Sequence, residues 1–291
     1  MRLALAVAVT FGIALIVIVP AGARAADVLL VINQSYDYRI PPEQGFHQLE
    51  NFELPVLETA EDMVFEAGFD LADPDAGGAA PYTIEVWIEG RALGRTYFEA
   101  DGAYLYTGAS VNGAVLLNSS GGNSYYQEFQ NVTPMPFTLA TVNLGYDKPQ
   151  NAPFNDAFER ANGFARALAE VMVSAWGIES VVPSVHVAEV PVRADIASLL
   201  GDLDDPVVVP DLIDVLALDE DERVRREAAW SLGRLGDRSA IKALIEGLKD
   251  PSDDVRWFSS WSLREITGET FGKDHDAWSS WWAAEGEQIG G

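Results

Sequence analysis

The chain has 291 residues, of which 45 are acidic and 19 are basic, and its formal net charge is −26. A protein this acidic repels phosphate backbones and anionic lipid headgroups, so we expect it to bind neither nucleic acid nor, in its mature form, a membrane surface. The absence of cysteine excludes disulfides, thiolate catalysis and cysteine-ligated metal sites. The length is sufficient for two domains of ordinary size.

The first 25 residues have the pattern of a secretory signal. An apolar run from Leu3 to Val19 follows Arg2 and ends at Pro20, shortly before Ala23-Arg24-Ala25. Small residues at these positions are typical of a signal peptidase site, so residues 1–25 are predicted to be a cleaved signal peptide and the mature protein to be periplasmic or extracellular. A retained membrane anchor is the alternative, because the run approaches the length that spans a bilayer.

Residues 26–177 are predicted to form an α+β domain. Apolar residues recur at three- and four-residue steps from Pro55 to Gly68, which predicts a helix. From Tyr82 to Glu89 apolar and polar residues alternate, which predicts a half-buried strand. Similar reasoning predicts strands at 28–32, 95–99, 103–106, 109–118 and 124–132, and a second long helix at 155–176. The helices are expected to pack on one face of a largely antiparallel sheet.

The segment 178–191 is rich in Val and Pro and is interpreted as an extended connector. After it one phrase occurs three times, with its Val-Arg pairs at Val192, Val224 and Val255, which are 32 and 31 residues apart. Between these phrases, residues 212–216 and 244–248 predict a second kind of helix. Each unit is therefore a helical pair whose apolar stripe must be buried by stacking on its neighbours.

The most complete copy of this phrase, residues 221–237, reads DERVRREAAWSLGRLGD. It resembles the HEAT repeat, in the short-unit form first associated with phycobilisome lyases, and the resemblance covers about residues 191–268. It implies a short all-α solenoid at 192–270 that binds a protein partner. The third copy departs from the pattern at Ser259, Ser260, Arg264 and Thr267, which fits an end unit covered by a Trp-rich C-terminal cap at 271–291.

Arginine and tryptophan side chains of the repeats and the cap are the candidate partner-binding residues, because both types are enriched at binding hot spots. A structural interpretation stands beside this one. The arginines would bridge acidic groups of neighbouring units, the acidic residues before each Val-Arg pair would cap helix N-termini, and a tryptophan of the cap would close the end of the solenoid. The candidates are Arg225, Arg256, Trp257, Trp261, Trp278, Trp281 and Trp282.

The sequence predicts no metal, cofactor or catalytic residues. His47, His186 and His275 are far apart and lack the short-spaced pair typical of zinc sites, and no phosphate-binding or dinucleotide motif occurs. We expect an exported, non-enzymatic interaction or scaffold protein. The alternative is an exported hydrolase, or another enzyme, with a carboxylate site in the α+β domain, since such carboxylate pairs have no fixed sequence spacing.

Overall fold

The computed structural model describes residues 15–16, 27–37, 56–73, 80–93, 96–98, 103–105, 108–134 and 163–285. The chain divides into two compact units, Met1–Gly177 and Ile178–Gly291, and each is described by itself. Within the described residues, no helix is both long and apolar enough to cross a membrane. The predicted signal peptide lies outside them, apart from the two-residue strand β1 (Leu15–Ile16).

The first unit contains a five-stranded sheet with the order β1-β2-β3-β6-β7. Two helices, α1 (Val56–Glu66) and α2 (Phe164–Trp176), accompany it. The short strands β4 and β5 pair with each other in a separate two-stranded sheet. The strands after β1 are β2 (Val28–Asp37), β3 (Tyr82–Leu93), β4 (Thr96–Phe98), β5 (Ala103–Leu105), β6 (Gly108–Ser119) and β7 (Ser124–Pro134).

Alternation along the strands places the core on one face of this sheet. Ile84, Val86 and Ile88 of β3 are buried, and Ile84 lies opposite Leu117 on β6. The helices supply the other half of this core with side chains at helical spacing, namely Val56, Ala60, Met63, Val64, Phe164, Leu168 and Met172. Successive strand residues point to opposite faces, so Thr83, Glu85, Trp87 and Glu89 of β3 lie on the other face.

The predicted α+β class is confirmed, with one pairing that the sequence did not indicate. The sheet is mostly antiparallel, but β2 and β3 run parallel, with Val28 opposite Tyr82. A parallel neighbour needs a crossover connection rather than a hairpin, and α1 lies in that connection. The part of the predicted second helix at residues 155–162 lies outside the described residues.

The second unit is helical from its first residues. The segment 178–191, predicted to be an extended connector, instead forms a 3-10 turn (Ile178–Ser180) and the short helix α3 (Ser184–Val187). Val181 and Val185 are buried, and α3 packs against the next helix, which begins at Val190. This packing is the reason that the connector prediction was wrong.

The remaining helices stack in two layers. The second helices of successive pairs, α4, α6 and α8, are neighbours in one layer, and the first helices α3, α5, α7 and α9 follow one another in the other. Each pair therefore buries its apolar stripe against the next pair, as the repeat predicted. Their bounds are α4 (Val190–Asp202), α5 (Val209–Leu218), α6 (Glu222–Leu235), α7 (Ile241–Gly247), α8 (Asp253–Thr267) and α9 (His275–Glu285).

Candidate functional site

The arginine of the repeated Val-Arg pair joins neighbouring helical pairs. In the first copy the Arg193 guanidinium donates to both carboxylate oxygens of Asp219, at 2.8 and 3.0 Å. It also donates to the backbone carbonyl of Ala188 at 2.8 Å, just after α3. The hydrogen bond to Asp219 raises the pKa of Arg193. One side chain thus links the end of one first helix to the end of the next.

Arg225 repeats the same arrangement one unit further along. It donates to the two carboxylate oxygens of Asp250 at 2.7 and 3.0 Å, and to the carbonyls of Asp219 and Glu220 at 2.9 and 3.0 Å. Burial acts to raise the pKa of Asp250, but the hydrogen bonds from Arg225 and from the Ser252 backbone N–H outweigh it and lower that pKa. The bridging of neighbouring units expected for Arg225 is therefore present, and its guanidinium is used inside the array.

Arg256 occupies the equivalent position in the last pair. It donates to the carbonyls of Asp250 and Pro251 at 2.6 and 2.9 Å, and to the carboxylate of Asp253 on its own helix at 2.8 Å. Its contacts thus join the end of α7 to the first turn of α8. No bidentate bond to a later unit, of the kind Arg193 and Arg225 make, is present in the described part of the chain.

The acidic residues before the Val-Arg pairs have two different roles. Asp221 is the N-cap of α6, where its carboxylate accepts the Arg223 N–H at 2.8 Å, which is the predicted capping role. In α8 the N-cap position is Ser252, without a capping bond from its side chain. Asp253 instead accepts from Arg256 and Lys273, so its carboxylate holds side chains rather than backbone N–H groups.

Close contacts between glycine and serine set the spacing of α4, α6 and α8. A Cβ added to Gly201 would lie 2.7 Å from the Ser231 Cα, and one added to Gly233 would lie 2.8 Å from the Ser262 Cα. The two serine hydroxyls are buried and donate to the carbonyls of the preceding helix, Ser231 to Ala197 and Ser262 to Ala229. The glycines within the repeat thus permit the second helices to approach each other. In α8 the position of this glycine is occupied by Arg264, and no further second helix follows α8 in the described residues.

Aromatic side chains mark the outer surface of α6 and α8. Trp257 is 51% exposed, and its ring meets that of Phe258 edge-on at a centroid distance of 4.8 Å. Trp230 and Trp261, both partly exposed, hold the same position in consecutive repeats, 31 residues apart. We call Trp230, Trp257, Phe258 and Trp261 the aromatic ridge. Trp230 was missed among the candidate residues, although the repeat spacing to Trp261 could have identified it.

Charged side chains border the aromatic ridge. The Arg234 guanidinium lies over the Trp230 ring, 4.7 Å from its centroid, and forms an ion pair with Asp202 of the neighbouring helix α4. The Arg226 guanidinium pairs with Glu227 at 2.6 Å. An apolar centre with polar neighbours is the usual organisation of a protein-binding surface.

The tryptophans of the last helix close the apolar end of the array. Trp278 is completely buried and donates from its indole N–H to the Gly272 carbonyl at 2.8 Å. Its ring packs edge-on against Phe271 and Trp281. Trp281 and Trp282 are partly exposed. Trp278 therefore offers no surface to a partner and fills the capping role considered for it, whereas Trp281 and Trp282 retain some accessible surface.

The titratable side chains of the described residues form no metal site, since no group of three or more His, Asp or Glu lies close enough to hold an ion. His47 lies outside the described residues. His186 faces Asp211 at 3.3 Å and His275 faces Glu246 at 3.5 Å. In the first unit Glu89 and Glu128 line a shared trough on the sheet, and they are the carboxylates that bear on the enzymatic alternative. They lie on strands separated by β6.

Residues 186–264 match the protein family described as HEAT repeats. This match spans α4 to α7, most of α8 and the arginine joints, so this part of the second unit is similar to HEAT repeats. None of the curated proteins matches the chain. HEAT repeats form stacked helical surfaces that favour an interaction or scaffold role.

Proposed function

We propose that this protein is an exported interaction protein and that it binds a protein partner through the aromatic ridge of its short-unit HEAT repeats. The observation that carries the proposal is the exposure of Trp257 beside Phe258. Large aromatic surface left in water is unfavourable, and tryptophan at the centre of an interface is the residue type that most often dominates binding.

The contacts of the candidate residues support placing the interface on this ridge. Arg225 and Trp278 are engaged within the array, whereas Trp257 and Trp261 lie on the outer surface of α8. Arg256 lies near the start of α8, the helix that also contains Trp257 and Trp261. Trp281 and Trp282 lie on α9 and form a secondary candidate surface, because part of each ring is accessible.

The interface is tested with the full chain and two variants that remove exposed apolar surface from the helical unit. Trp257→Ser changes the ridge, and Leu218→Ser changes α5, where Leu218 is 79% exposed. A partner captured from a cell-envelope extract is purified and titrated against each variant by calorimetry. We expect Trp257→Ser to weaken binding by ~10-fold or more, which is the loss typical of an interface hot spot, and Leu218→Ser by less than ~2-fold. Equal affinities for the two variants would place the interface elsewhere.

Export is tested separately, on the protein isolated from cells. Mass spectrometry of the mature chain is expected to give Ala26 as its first residue, in keeping with the Ala23-Arg24-Ala25 pattern. Recovery of the chain in the cytoplasmic fraction with Met1 intact would contradict the export proposal. The calorimetric titration would still decide whether the aromatic ridge binds a partner.

A further inference from the structure

The face of the sheet opposite α1 and α2 in the first unit carries a trough of about 750 Å³. Strand pairing sets its floor and walls. Trp87 lies opposite Ala114, and Ala114 lies opposite Glu128, so these three side chains form one row across β3, β6 and β7. The short Ala114 leaves a hollow between a large ring on one side and a carboxylate on the other.

A second row lies directly beside the first. Glu89 faces Asn112, and Asn112 faces Gln130. The side-chain oxygen of Asn112 is buried and has no hydrogen-bond partner in the part of the chain that the structure describes. A buried acceptor without a donor is unfavourable, and the Asn112 residue lines the trough. A turn of this side chain toward the trough would offer its oxygen to a hydrogen-bond donor of a bound molecule.

The walls of the trough suit a cation. Among the residues that the structure describes, its lining contains the carboxylates of Glu89 and Glu128 and no Lys or Arg, on a chain whose net charge is −26. Trp87 is 39% exposed, so part of its ring is open to a ligand. The Tyr126 hydroxyl donates to one carboxylate oxygen of Glu128 at 2.7 Å, which orients that group. Aromatic faces and carboxylates are the two surfaces that attract organic cations most strongly.

The kinds of partner along the row favour a guanidinium over a simple ammonium. Two strand spacings separate the Trp87 and Glu128 backbones by roughly 9.5 Å, and side chains from both walls narrow this gap. A planar guanidinium stacks on a ring, pairs with a carboxylate through two N–H groups and has further N–H groups for a third acceptor. In this trough those partners are Trp87, Glu128 and the Asn112 oxygen.

We propose that this trough binds an arginine side chain of a basic peptide segment. The trough is open on one side and larger than one guanidinium needs. The remaining space is lined by Asn33, Ser35 and Gln130, whose polar groups can accept from or donate to the flanking peptide backbone. The site lies in the first unit and is independent of the aromatic ridge.

The binding test uses the full chain at physiological salt and the pentapeptide Gly-Gly-Arg-Gly-Gly with both ends blocked. Its counterpart contains citrulline, which keeps the shape of arginine without the charge. Dissociation constants are measured by NMR titration, following the side-chain amide signal of Asn112. We expect saturable binding of the arginine peptide, with the citrulline peptide at least ~10-fold weaker. Equal binding of the two peptides, or no saturable shift, would overturn the proposal.

Variants of the trough separate a built site from general attraction to an acidic protein. Glu128→Gln keeps the shape of the side chain and removes one charge, and Glu58→Gln makes the same change on the exposed first turn of α1. We expect Glu128→Gln and Trp87→Ala each to weaken binding by roughly 10-fold and Glu58→Gln by less than ~2-fold. The same loss in both glutamine variants would show that the attraction is not local and would refute the site.

Nα-acetylarginine amide, which has the same single positive charge as the blocked pentapeptide, tests the peptide part of the proposal. We expect it to bind at least ~5-fold more weakly than the pentapeptide, because it lacks the backbone groups that reach Asn33, Ser35 and Gln130. Equal affinity would overturn the assignment to a peptide segment. Circular dichroism of each variant, compared with the unaltered chain, ensures that a loss of binding is measured on folded protein.

Discussion

Replacing Arg225 with methionine should loosen the joint between two helical pairs. The guanidinium makes four hydrogen bonds, two to the Asp250 carboxylate and two to the carbonyls at the end of α5. The two side chains are only 11% and 8% exposed. Methionine keeps most of the length of the side chain, so the variant removes the charge and the donors while leaving most of the packing in place.

The expected loss follows from what remains behind. Removing one partner of a buried ion pair costs about 3–5 kcal/mol, because the other charge stays buried. Asp250 keeps the hydrogen bond from the Ser252 N–H, so we expect the lower end of this range, about 3 kcal/mol. Arg223→Met is the matched control. Arg223 is on the same helix but 51% exposed, and it pairs with Asp221 at the surface, so its loss should stay below about 1 kcal/mol.

Urea unfolding followed by tryptophan fluorescence measures both variants, since six of the eight tryptophans lie in the helical unit. With a slope of about 2 kcal/mol/M, a loss of 3 kcal/mol lowers the midpoint by roughly 1.5 M. Combining Arg225→Met with Asp250→Asn completes a double-mutant cycle, whose coupling energy we expect to exceed about 1.5 kcal/mol. Equal midpoints for Arg225→Met and Arg223→Met would refute the reasoning.

Three further predictions concern the same unit. Gly233→Ala should destabilise it by about 1–3 kcal/mol, because the new methyl meets the Ser262 backbone. Arg264→Ala, at the exposed residue that aligns with Gly233, should change little in the same urea assay. Trp278→Ala should lower the free energy of unfolding by about 3–5 kcal/mol, since its ring is fully buried. Trp282→Ala should lower it clearly less, because Trp282 is partly exposed. Thermal unfolding followed by circular dichroism compares the two variants. Stability should also fall in acid. Hydrogen bonds lower the pKa of Asp221 and Asp237, and those from Arg225 and Ser252 outweigh burial to lower that of Asp250. A depressed pKa contributes stability above the unfolded value of about 3.9 that is lost as pH falls through the folded value. The urea midpoint should therefore drop between about pH 5 and pH 2, and the drop should be smaller in Asp250→Asn. A drop in that variant as large as in the unaltered chain would contradict the contribution assigned to Asp250.

The helical pairs were predictable because each residue of the repeat has a local reason that recurs. The Val-Arg spacing, the apolar stripes and the N-terminal Asp221 all follow from stacking and capping. The joint itself was foreseen for Arg225, although its partner Asp250 lies 25 residues away and depends on how the pairs stack. Trp230 was not among the predicted residues, although it holds the same repeat position as Trp261.

Other features could not be predicted from local pattern. The segment 178–191 resembles a connector in composition, yet it forms a 3-10 turn and α3, with Val181 and Val185 buried and α3 packed against α4. The parallel pairing of β2 with β3 depends on the crossover connection that contains α1. The residues of β2 do not by themselves indicate the direction of the neighbouring strand. The row that contains Trp87, Ala114 and Glu128 depends on the register of three strands, so the trough emerges only from the assembled sheet.

Arginine at position 264 limits how an array of this kind can be lengthened. Gly201 and Gly233 let the following second helix approach closely because they lack a side chain. A second helix placed after α8 would instead meet the long charged side chain of Arg264. Trp278 moreover already fills the apolar end. A longer protein is therefore more readily made by duplicating an internal unit before α8 than by adding units at the end. An engineered insertion of one copy of residues 205–236 after Gly236 should fold, whereas the same copy placed after Gly268 should fold only with Arg264 changed to glycine.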